Sequence, residues 1–294
     1  MHLCNILLIA GFTAARVLPR QEATKCTNPV KRVEFRTLDN VARKQYTDAV
    51  KCLTTKPSML GLSTTLYDDF VYVHTQLNTE IHYVAQFLPW HRYFVNLYEK
   101  QLNGCGYTGP MVEWKCLTDG PFKDIRSAYV LTEYAPHCLS RDFFDGTSRP
   151  GTMRSSAYTP EAIATINALD TFVEFEFELE NRPHGSIHSA VGGKMGDMGP
   201  SSSPNEPLFF LHHAQVDRLW WLWQQGNPSV RNTEYAGKRE ITPGAGGRPL
   251  PPGEVAPVDP PAALTDVMPF MKLADDLPVS AIMTTENDLL CYTY

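Results

Sequence analysis

Seven of the nine histidines fall into two clusters whose spacing suits metal binding. The first cluster contains His74, His82 and His91, and the second contains His184, His188, His212 and His213. His184 and His188 are one helical turn apart, so their imidazoles can reach one ion. Neither cluster has a cysteine, methionine or carboxylate at ligand spacing. Three neutral imidazoles per ion suit copper or zinc, and two such sites facing each other would form a dinuclear centre.

Each histidine taken singly is more often an ordinary core or surface residue than a ligand. Six at these spacings are better explained as ligands, because paired histidines one helical turn apart are a specific motif. A zinc hydrolase is a rival interpretation, but it typically adds a carboxylate ligand or bridge, which the sequence does not offer.

The second cluster ends in a segment with the pattern of one long helix, NEPLFFLHHAQVDRLWWLW from Asn205 to Trp223. Its apolar residues recur at helical spacing: Leu208, Leu211, Val216, Leu219, Trp220 and Trp223. His213 and Asp217 are four apart and share a face, so the acid could accept a hydrogen bond from the second ring nitrogen. By itself, this segment could equally be a buried amphipathic helix with two incidental histidines.

The first cluster lies on segments that also have helical signals. His74 falls in the apolar, aromatic stretch from Leu66 to Leu77, and His91 falls in the first turn of a helix predicted from Trp90 to Leu102. Pro89 is welcome at such a helix start. Because antiparallel helix bundles build metal centres from side chains on facing helices, the sequence predicts a mainly α fold, a four-helix bundle with long loops and a few short strands.

The rest of the chain alternates between helices, loops and short extended stretches. A helical stripe runs from Thr37 to Leu53, and Thr159 with Pro160 starts a helix that reaches about Leu169. The alternating sequence FVEFEFELE, Phe172 to Glu180, favours a strand or an extended rim over a helix. Other segments are predicted as a short strand in Lys31–Thr37, loop from Cys105 to Pro150, a short helix near Ala263–Leu273 and a final strand in LLCYTY.

Composition and charge bound the function and the compartment. The 294-residue chain carries a formal net charge of -6, which argues against nucleic acid or an anionic membrane as a partner. The apolar start, residues 1–19, predicts a secretory signal peptide, with a buried strand as the alternative. Six cysteines remain after its removal: Cys26, Cys52, Cys105, Cys116, Cys138 and Cys291. Six cysteines in a secreted chain predict up to three disulfides, whose pairing the sequence does not fix.

The sequence resembles the tyrosinase family, phenol-oxidising proteins with two copper ions, and most closely the short secreted fungal members. The resemblance rests on His82 followed by FLPWHR, on HGSIH, on PNEPLFFLHHAQVDRLWWLW, and on the opening KRVEFRTL and closing CYTY. It implies one tyrosinase copper-binding domain over residues 20–294. It implies that His74, His82 and His91 hold the first copper and that His184, His188 and His213 hold the second, with His212 as a non-ligand neighbour.

The resemblance also implies an activity and further site residues. The chain would oxidise o-diphenols to o-quinones with dioxygen, acting on a small phenol. Glu180 would help hold a water and could act as a base, although a solvated acid in a strand is the alternative. Gly185 stands where monophenol-active relatives have asparagine, which implies weak or no monophenol hydroxylation, and Met198 would overhang the second copper or serve merely as a soft loop contact. Asp217 matches the acid near the second site.

Three features depart from the family pattern. Glu80 stands two residues before His82, so the cysteine–histidine thioether of some fungal members is not available. The chain stops at the closing Tyr-x-Tyr, Tyr292 to Tyr294, which implies no shielding domain. In the family an arginine near the chain start contacts these tyrosines, and the resemblance matches it to Arg36. Compared with the family pattern, a tract is also missing between Lys115 and Cys116.

The missing tract keeps alternative functions open. The protein could be an inactive or copper-deficient tyrosinase-like secreted protein, because packing behind the first copper could be lost with the tract. A dioxygen-binding type 3 copper protein, which carries oxygen without oxidising a phenol, is the other alternative.

Overall fold

The computed structural model describes residues 26–107, 109, 121–144, 153–239 and 261–294. The predicted mainly α fold is confirmed. The longer helices are α1 (Asn40–Leu53), α2 (Leu66–Gln76), α4 (Phe87–Gly104), α5 (Pro160–Asn167), α6 (Phe172–Leu179), α7 (Gly185–Gly192) and α8 (Leu208–Gln225). Two four-residue helices complete the set, α3 (Asn78–Ile81) and α9 (Pro228–Arg231). No helix in the described ranges is both long and apolar enough to cross a bilayer.

The predicted bundle is built around aromatic packing between α2, α4 and α8. Phe210 of α8 stacks on Tyr98 of α4, with ring centroids 3.5 Å apart. Phe70 of α2 contacts Phe94 of α4 at 5.3 Å. These rings are fully buried, and burying an aromatic side chain removes a large apolar area from water. The core therefore fixes the faces of the three helices that carry His74, His91 and His213.

The segment predicted as a strand, Phe172 to Glu180, is helix α6, so that prediction is wrong. The Thr171 side chain accepts a hydrogen bond from the Glu174 N–H and caps the helix. Phe172 and Phe175 are buried at helical spacing, and Phe175 stacks on Trp223 at 4.9 Å. Burial against α8 overrides the alternation, because a helix places these residues on one face.

Helix α6 continues through a π-helical turn, Glu180–His184, into α7. Such turns insert an extra residue in a helix and are frequent at functional sites. Here the turn delivers His184 and carries Pro183, which has no N–H to donate to the helix ladder. The HGSIH motif thus lies on the helical run that completes the bundle.

Two loop or helix predictions outside the bundle are also wrong. Part of the Cys105–Pro150 segment forms an antiparallel hairpin of β2 (Arg126–Val130) and β3 (Glu133–Cys138). The predicted helix at Ala263–Leu273 is instead turns and a two-residue strand, β4 (Val267–Met268), paired with β5 (Leu277–Pro278). Pro269 and the left-handed backbone that follows it prevent a helix there.

The two ends of the described chain are joined. Strand β1 (Val30–Lys31) pairs in parallel with β6 (Tyr292–Thr293), so a terminal strand is confirmed. Disulfides link Cys26 to Cys291 and Cys52 to Cys105. Cys138 is exposed and has no disulfide partner in the described ranges, and Cys116 lies outside them, as do residues 1–19.

The Cys52–Cys105 bridge joins the end of α1 to the end of α4 and should contribute strongly to stability. Replacing both cysteines by serine is expected to lower the free energy of unfolding by about 2–4 kcal/mol, because the bridge restricts the unfolded chain. Urea unfolding in buffer without a reductant, which keeps the wild-type bridge intact, measures the change against wild type. An unchanged unfolding midpoint in the double variant would contradict this expectation.

Candidate metal centre

The first histidine cluster converges as predicted. His74 comes from α2, His82 follows α3, and His91 comes from α4. Their ligand nitrogens lie within 4.8 Å of one another. His74 and His91 are almost fully buried, whereas His82 is partly exposed. The three rings therefore form a pocket that is closed at the helices and open at His82.

Backbone carbonyls fix the orientation of these three rings. The Nδ1 atoms of His74, His82 and His91 lie 2.7, 3.0 and 2.8 Å from the carbonyl oxygens of Ser201, Asn78 and Phe87. A carbonyl only accepts, so each Nδ1 carries the proton and each Nε2 presents a lone pair. The Nε2 atoms of His74 and His91 then face each other at 3.3 Å without a proton between them. A bound cation would resolve this opposition of lone pairs.

The second cluster places four imidazoles together rather than three. The ligand nitrogens of His184, His188 and His212 lie within 4.8 Å of one another. His213, which the resemblance implies as the third ligand, has its Nε2 3.3 Å from Nε2 of His188. Carbonyl oxygens again hold Nδ1 of His184 and His188, from Glu180 at 3.0 Å and Met198 at 2.7 Å. Geometry alone thus admits either His212 or His213 as the third ligand.

The two clusters face each other across a narrow gap. The rings of His91 and His213 are stacked with centroids 4.4 Å apart, and those of His82 and His184 are 6.4 Å apart. Phe209 packs on His213 at 4.1 Å, and Phe87 packs on His184 at 4.7 Å. This arrangement suits two ions close together in a pocket with apolar walls.

Burial keeps the imidazoles neutral and ready to bind a metal. Desolvation lowers the pKa of His82 and of His188 to about 4. The same cause, with neighbouring histidines adding to it, lowers the pKa of the other ligand candidates well below the usual range: His74, His91, His184 and His213. Neutral imidazole is the ligand form, so binding a metal at pH 7 displaces no proton from Nε2.

The donor set fits copper. Nε2 of His184 and Nε2 of His212 are buried without a hydrogen-bond partner among the described residues. An unpaired buried polar atom is costly, so these atoms point to an occupant of the pocket. Two all-imidazole triads without thiolate or carboxylate suit copper, which is softer than magnesium or calcium.

Glu180 lies beside the first cluster through the residue after His82. Its two carboxylate oxygens accept hydrogen bonds from the Tyr83 N–H at 2.9 and 3.0 Å. Burial raises the pKa of Glu180 to about 7, against the lowering effect of hydrogen bonds from Tyr83 and Glu176. The alternative of a solvated acid in a strand is wrong, because Glu180 is 3% exposed and belongs to the helical run. Sequence reasoning missed Tyr83 and Glu176.

Asp217 lies on the same helix as His213 but bonds elsewhere. Its Oδ1 accepts from Arg92 at 2.5 Å, and its Oδ2 accepts from Tyr292 at 2.5 Å and Tyr294 at 2.6 Å. Burial alone would raise the pKa of Asp217, but the arginines and tyrosines lower it below its usual value. The acid therefore anchors α8 to the chain end instead of orienting the His213 ring.

The arginine that meets the closing tyrosines is Arg32, not Arg36 as predicted. The Arg32 guanidinium lies 3.5 Å from the Tyr292 ring centre and donates to the Tyr294 hydroxyl at 3.0 Å. The parallel pairing of β1 with β6 places Arg32 there, whereas the Arg36 side chain is 84% exposed and pairs with Glu34. Local sequence does not fix such a strand register.

Gly185 and Met198 both lie next to the second cluster. Gly185 follows His184 and has ordinary helical backbone angles, φ -60° and ψ -28°. Met198 is fully buried, and its carbonyl holds the His188 ring. Its side chain lines a cavity of about 880 Å³ with His212 on the outer side of α8.

Comparisons with known proteins agree with this geometry. The profile of the common central domain of tyrosinase matches residues 64–108 and 102–226. The chain is 33% identical to tyrosinase ustQ of Aspergillus flavus over 306 residues, covering 92% of this chain and 80% of that protein. It is 33% identical to the tyrosinase-like protein phomQ2 of Diaporthe leptostromiformis over 307 residues, covering 92% and 74%. A mutant polyphenol oxidase from Thermothelomyces thermophila has a similar structure, with a TM-score of 0.74, 26% identity and coverage of 90% and 88%.

The alignments also bear on the missing tract. The alignment to the Aspergillus flavus protein spans 306 residues but covers only 92% of this 294-residue chain, so it contains gaps in this chain. The domain profile matches in two pieces that meet near residues 102–108, shortly before Lys115. The alignment length does not place its gaps, whereas the split of the profile agrees with a shortening near that point, and both sets of histidines lie outside it.

Proposed function

The chain belongs to the tyrosinase family, and we propose that it is a copper oxidoreductase that uses dioxygen to oxidise o-diphenols to o-quinones, with weak or no hydroxylation of monophenols. Family members act on phenolic substrates with dioxygen, so the proposal concerns the choice of phenol and the copper content. The observation that carries it is the pair of facing imidazole clusters, with Nε2 lone pairs of His74 and His91 opposed at 3.3 Å.

In this proposal, His74, His82 and His91 hold one copper ion and His184, His188 and His213 hold the other. Bound copper would supply the redox chemistry, in which two o-diphenols become two o-quinones and one dioxygen becomes two waters. The protein positions the ligands through backbone carbonyls and limits water through the apolar walls of Phe87 and Phe209. The phenol approaches where the clusters are open, between the partly exposed His82 and His188.

Glu180 is the proposed acceptor of the phenolic proton. A carboxyl with its pKa raised to about 7 can take up a proton near neutral pH and release it again. It is 3% exposed and reaches the first cluster through the hydrogen bond from the N–H of Tyr83, the residue after His82. The proposed role of Glu180 rests on its contact with Tyr83, and that of Met198 at the substrate pocket rests on the contact of its carbonyl with the His188 ring.

Secretion is part of the proposal. Two disulfides join distant parts of the described chain, and such bridges persist in oxidising compartments. The proposed signal peptide, residues 1–19, agrees with this compartment. Sequencing the N-terminus of the protein recovered from culture medium tests it, and an intact Met1 would contradict it.

The purified chain tests the function directly through copper content, oxygen uptake and quinone absorbance with catechol. We expect about two copper ions per chain and steady quinone formation, as a dinuclear oxidase requires. A folded chain that takes up fewer ions and forms no quinone would favour the copper-deficient alternative. Two ions without quinone formation would favour the dioxygen-binding alternative.

Gly185→Asn tests the choice between diphenols and monophenols. The side chain fits helical backbone angles, and its Cβ would lie 3.3 Å from the Glu180 carbonyl oxygen, a tight contact that this carbonyl must relieve by a small shift. An asparagine there could orient a water near Glu180, so we expect the ratio of monophenol to diphenol turnover to rise by about tenfold, which is less than the roughly 10²–10⁴-fold typical of full general acid–base catalysis.

The measurement is the initial rate with tyrosol and with 4-methylcatechol on copper-loaded protein. Gly185→Ala is the matched control, because it adds the Cβ without the amide and should leave the ratio unchanged. An equal rise in both variants would mean that packing, and not the amide, sets the preference.

A further inference from the structure

His82 is the first-cluster ligand with the least support from secondary structure. His74 and His91 lie within α2 and α4, whereas His82 follows α3 with extended backbone angles, φ -126° and ψ 146°. Its ring is tied by Nδ1 to the Asn78 carbonyl at 3.0 Å. Helical ligands inherit their direction from the helix, so His82 needs a further restraint on its backbone.

The residue after His82 has an unfavourable backbone conformation. Tyr83 has φ 58°, in the left-handed region that residues with a Cβ rarely occupy. Its side chain is 61% exposed, so burial of the ring does not explain the conformation. Backbone strain of this kind persists where neighbouring groups fix it, and it concentrates at functional sites.

Glu180 is the group that fixes the turn. Both of its carboxylate oxygens accept from the Tyr83 N–H, at 2.9 and 3.0 Å, across 97 positions of sequence. The carboxylate is 3% exposed, and hydrogen bonds to buried carboxylates are among the stronger ones in proteins. The bond therefore ties the turn after His82 to the π-helical turn that delivers His184.

Glu176, one helical turn earlier, supports Glu180. The two carboxyl groups lie one helical turn apart on the same face, and two buried carboxyl groups this close cannot both be ionised, so one of them carries a proton. Glu180 accepts hydrogen bonds from the Tyr83 N–H, as an ionised carboxylate does, so we assign the proton to Glu176, which is 8% exposed. Glu180 thus has its oxygens held between a donor on α6 and a donor on the His82 segment.

We propose that Glu176 and Glu180 form a clamp that holds the left-handed turn at Tyr83 and thereby positions His82 as a copper ligand. Both acids act here as positioning residues, and Glu176 acts only through Glu180. The inference rests on the proposed function for the identity of the ion. Its hydrogen bonds do not depend on any activity, and the proposed proton acceptor role of Glu180 is compatible with it.

Amide hydrogen exchange at Tyr83 tests the clamp itself in the metal-free full-length chain. Loss of a hydrogen bond to a charged acceptor should speed exchange of the Tyr83 N–H by about tenfold or more in Glu180→Ala. Glu180→Gln keeps an oxygen acceptor and should stay close to wild type. Glu176→Leu should also speed exchange, whereas Glu176→Gln keeps a donor and should not.

Copper release tests whether the clamp positions His82. In the copper-loaded protein challenged with a chelator, Glu176→Leu should release one of the two ions about 10- to 100-fold faster, the effect expected of a group that supports a ligand. The release rate of the other ion should not change. Glu178→Leu is the matched control on the same helix, because Glu178 pairs with Arg182 and not with the turn.

The outcomes separate the inference from the proposed function. Unchanged Tyr83 exchange in Glu180→Ala overturns the clamp, whatever the wild type does with catechol. Faster exchange with wild-type release of both ions overturns the link to His82. Faster exchange and selective release in a wild type that forms no quinone would keep the clamp and reject the oxidase. If Glu180→Ala does not fold, the Glu176→Leu and Glu176→Gln pair still decides.

Discussion

Replacing His213 by alanine is expected to leave a protein with one copper ion and to reduce catechol oxidation by about 10³-fold or more, since a dinuclear site loses several kcal/mol of metal catalysis with one ion. The reason is position. The His213 ring stacks on His91 of the first cluster at 4.4 Å, and its Nε2 lies 3.3 Å from Nε2 of His188, so His213 lies between the two clusters. Copper analysis of the purified variant and oxygen uptake with catechol measure both effects.

His212→Ala is the matched control and should keep both ions. His212 stacks on His184, with ring planes at 10°, and lines the cavity on the outer side of α8, away from the first cluster. Its ligand nitrogen nonetheless lies within 4.8 Å of those of His184 and His188, so the pair of variants decides whether His212 or His213 is the third ligand. Loss of one ion in His212→Ala but not in His213→Ala would reverse the assignment.

Most of the candidate ligands could be predicted because their helical spacing is visible in the sequence. His184 and His188 lie one turn apart in the HGSIH motif, and His74, His91 and His213 fall within apolar helical stripes. In each case the periodicity that buries the helix also aims the imidazole into the bundle. His82 has no periodicity to indicate its direction, and the support that we propose for it comes from Glu180, 98 positions later.

The misassigned α6 shows where local patterns fail. The sequence FVEFEFELE alternates, yet Phe172, Phe175, Glu176 and Leu179 also share one helical face. Both patterns are present, and only the packing of Phe175 on Trp223 decides between them. Interpreting this segment as a strand or an extended rim leaves Glu176 and Glu180 in solvent, so the buried pair of acids could not be predicted.

The chain ends show a second limit. Arg32 and Arg36 both precede the first helix, and sequence similarity favoured Arg36 as the partner of the closing tyrosines. The parallel register of β1 with β6, Val30 opposite Tyr292, places Arg32 against the tyrosines instead. A register between strands more than 250 positions apart depends on the whole fold.

Asp217→Ala is expected to lower the free energy of unfolding by about 3–5 kcal/mol, the cost of leaving a buried partner charge unpaired. The Arg92 side chain is 0% exposed, so its guanidinium cannot reach water when the carboxylate is removed, whereas the buried Arg32 keeps its ion pair with Glu99 at 2.6 Å. Two tyrosine hydroxyls lose their acceptor in the same step. Urea unfolding at pH 7 measures the change in stability.

Asp48→Ala provides the contrast, because Asp48 pairs with Lys44 on an exposed helix face and should cost at most about 0.5 kcal/mol. The pH dependence follows from the lowered pKa of Asp217. The ionised acid stabilises the fold at every pH above the unfolded value of about 4, and this contribution is lost only as pH falls through the folded value. Wild type and Asp217→Ala should therefore differ by a constant amount between about pH 5 and pH 8 and converge in acid. If the stability difference between wild type and Asp217→Ala grew or vanished between about pH 5 and pH 8, a group other than the Asp217 carboxylate would neutralise the buried Arg92.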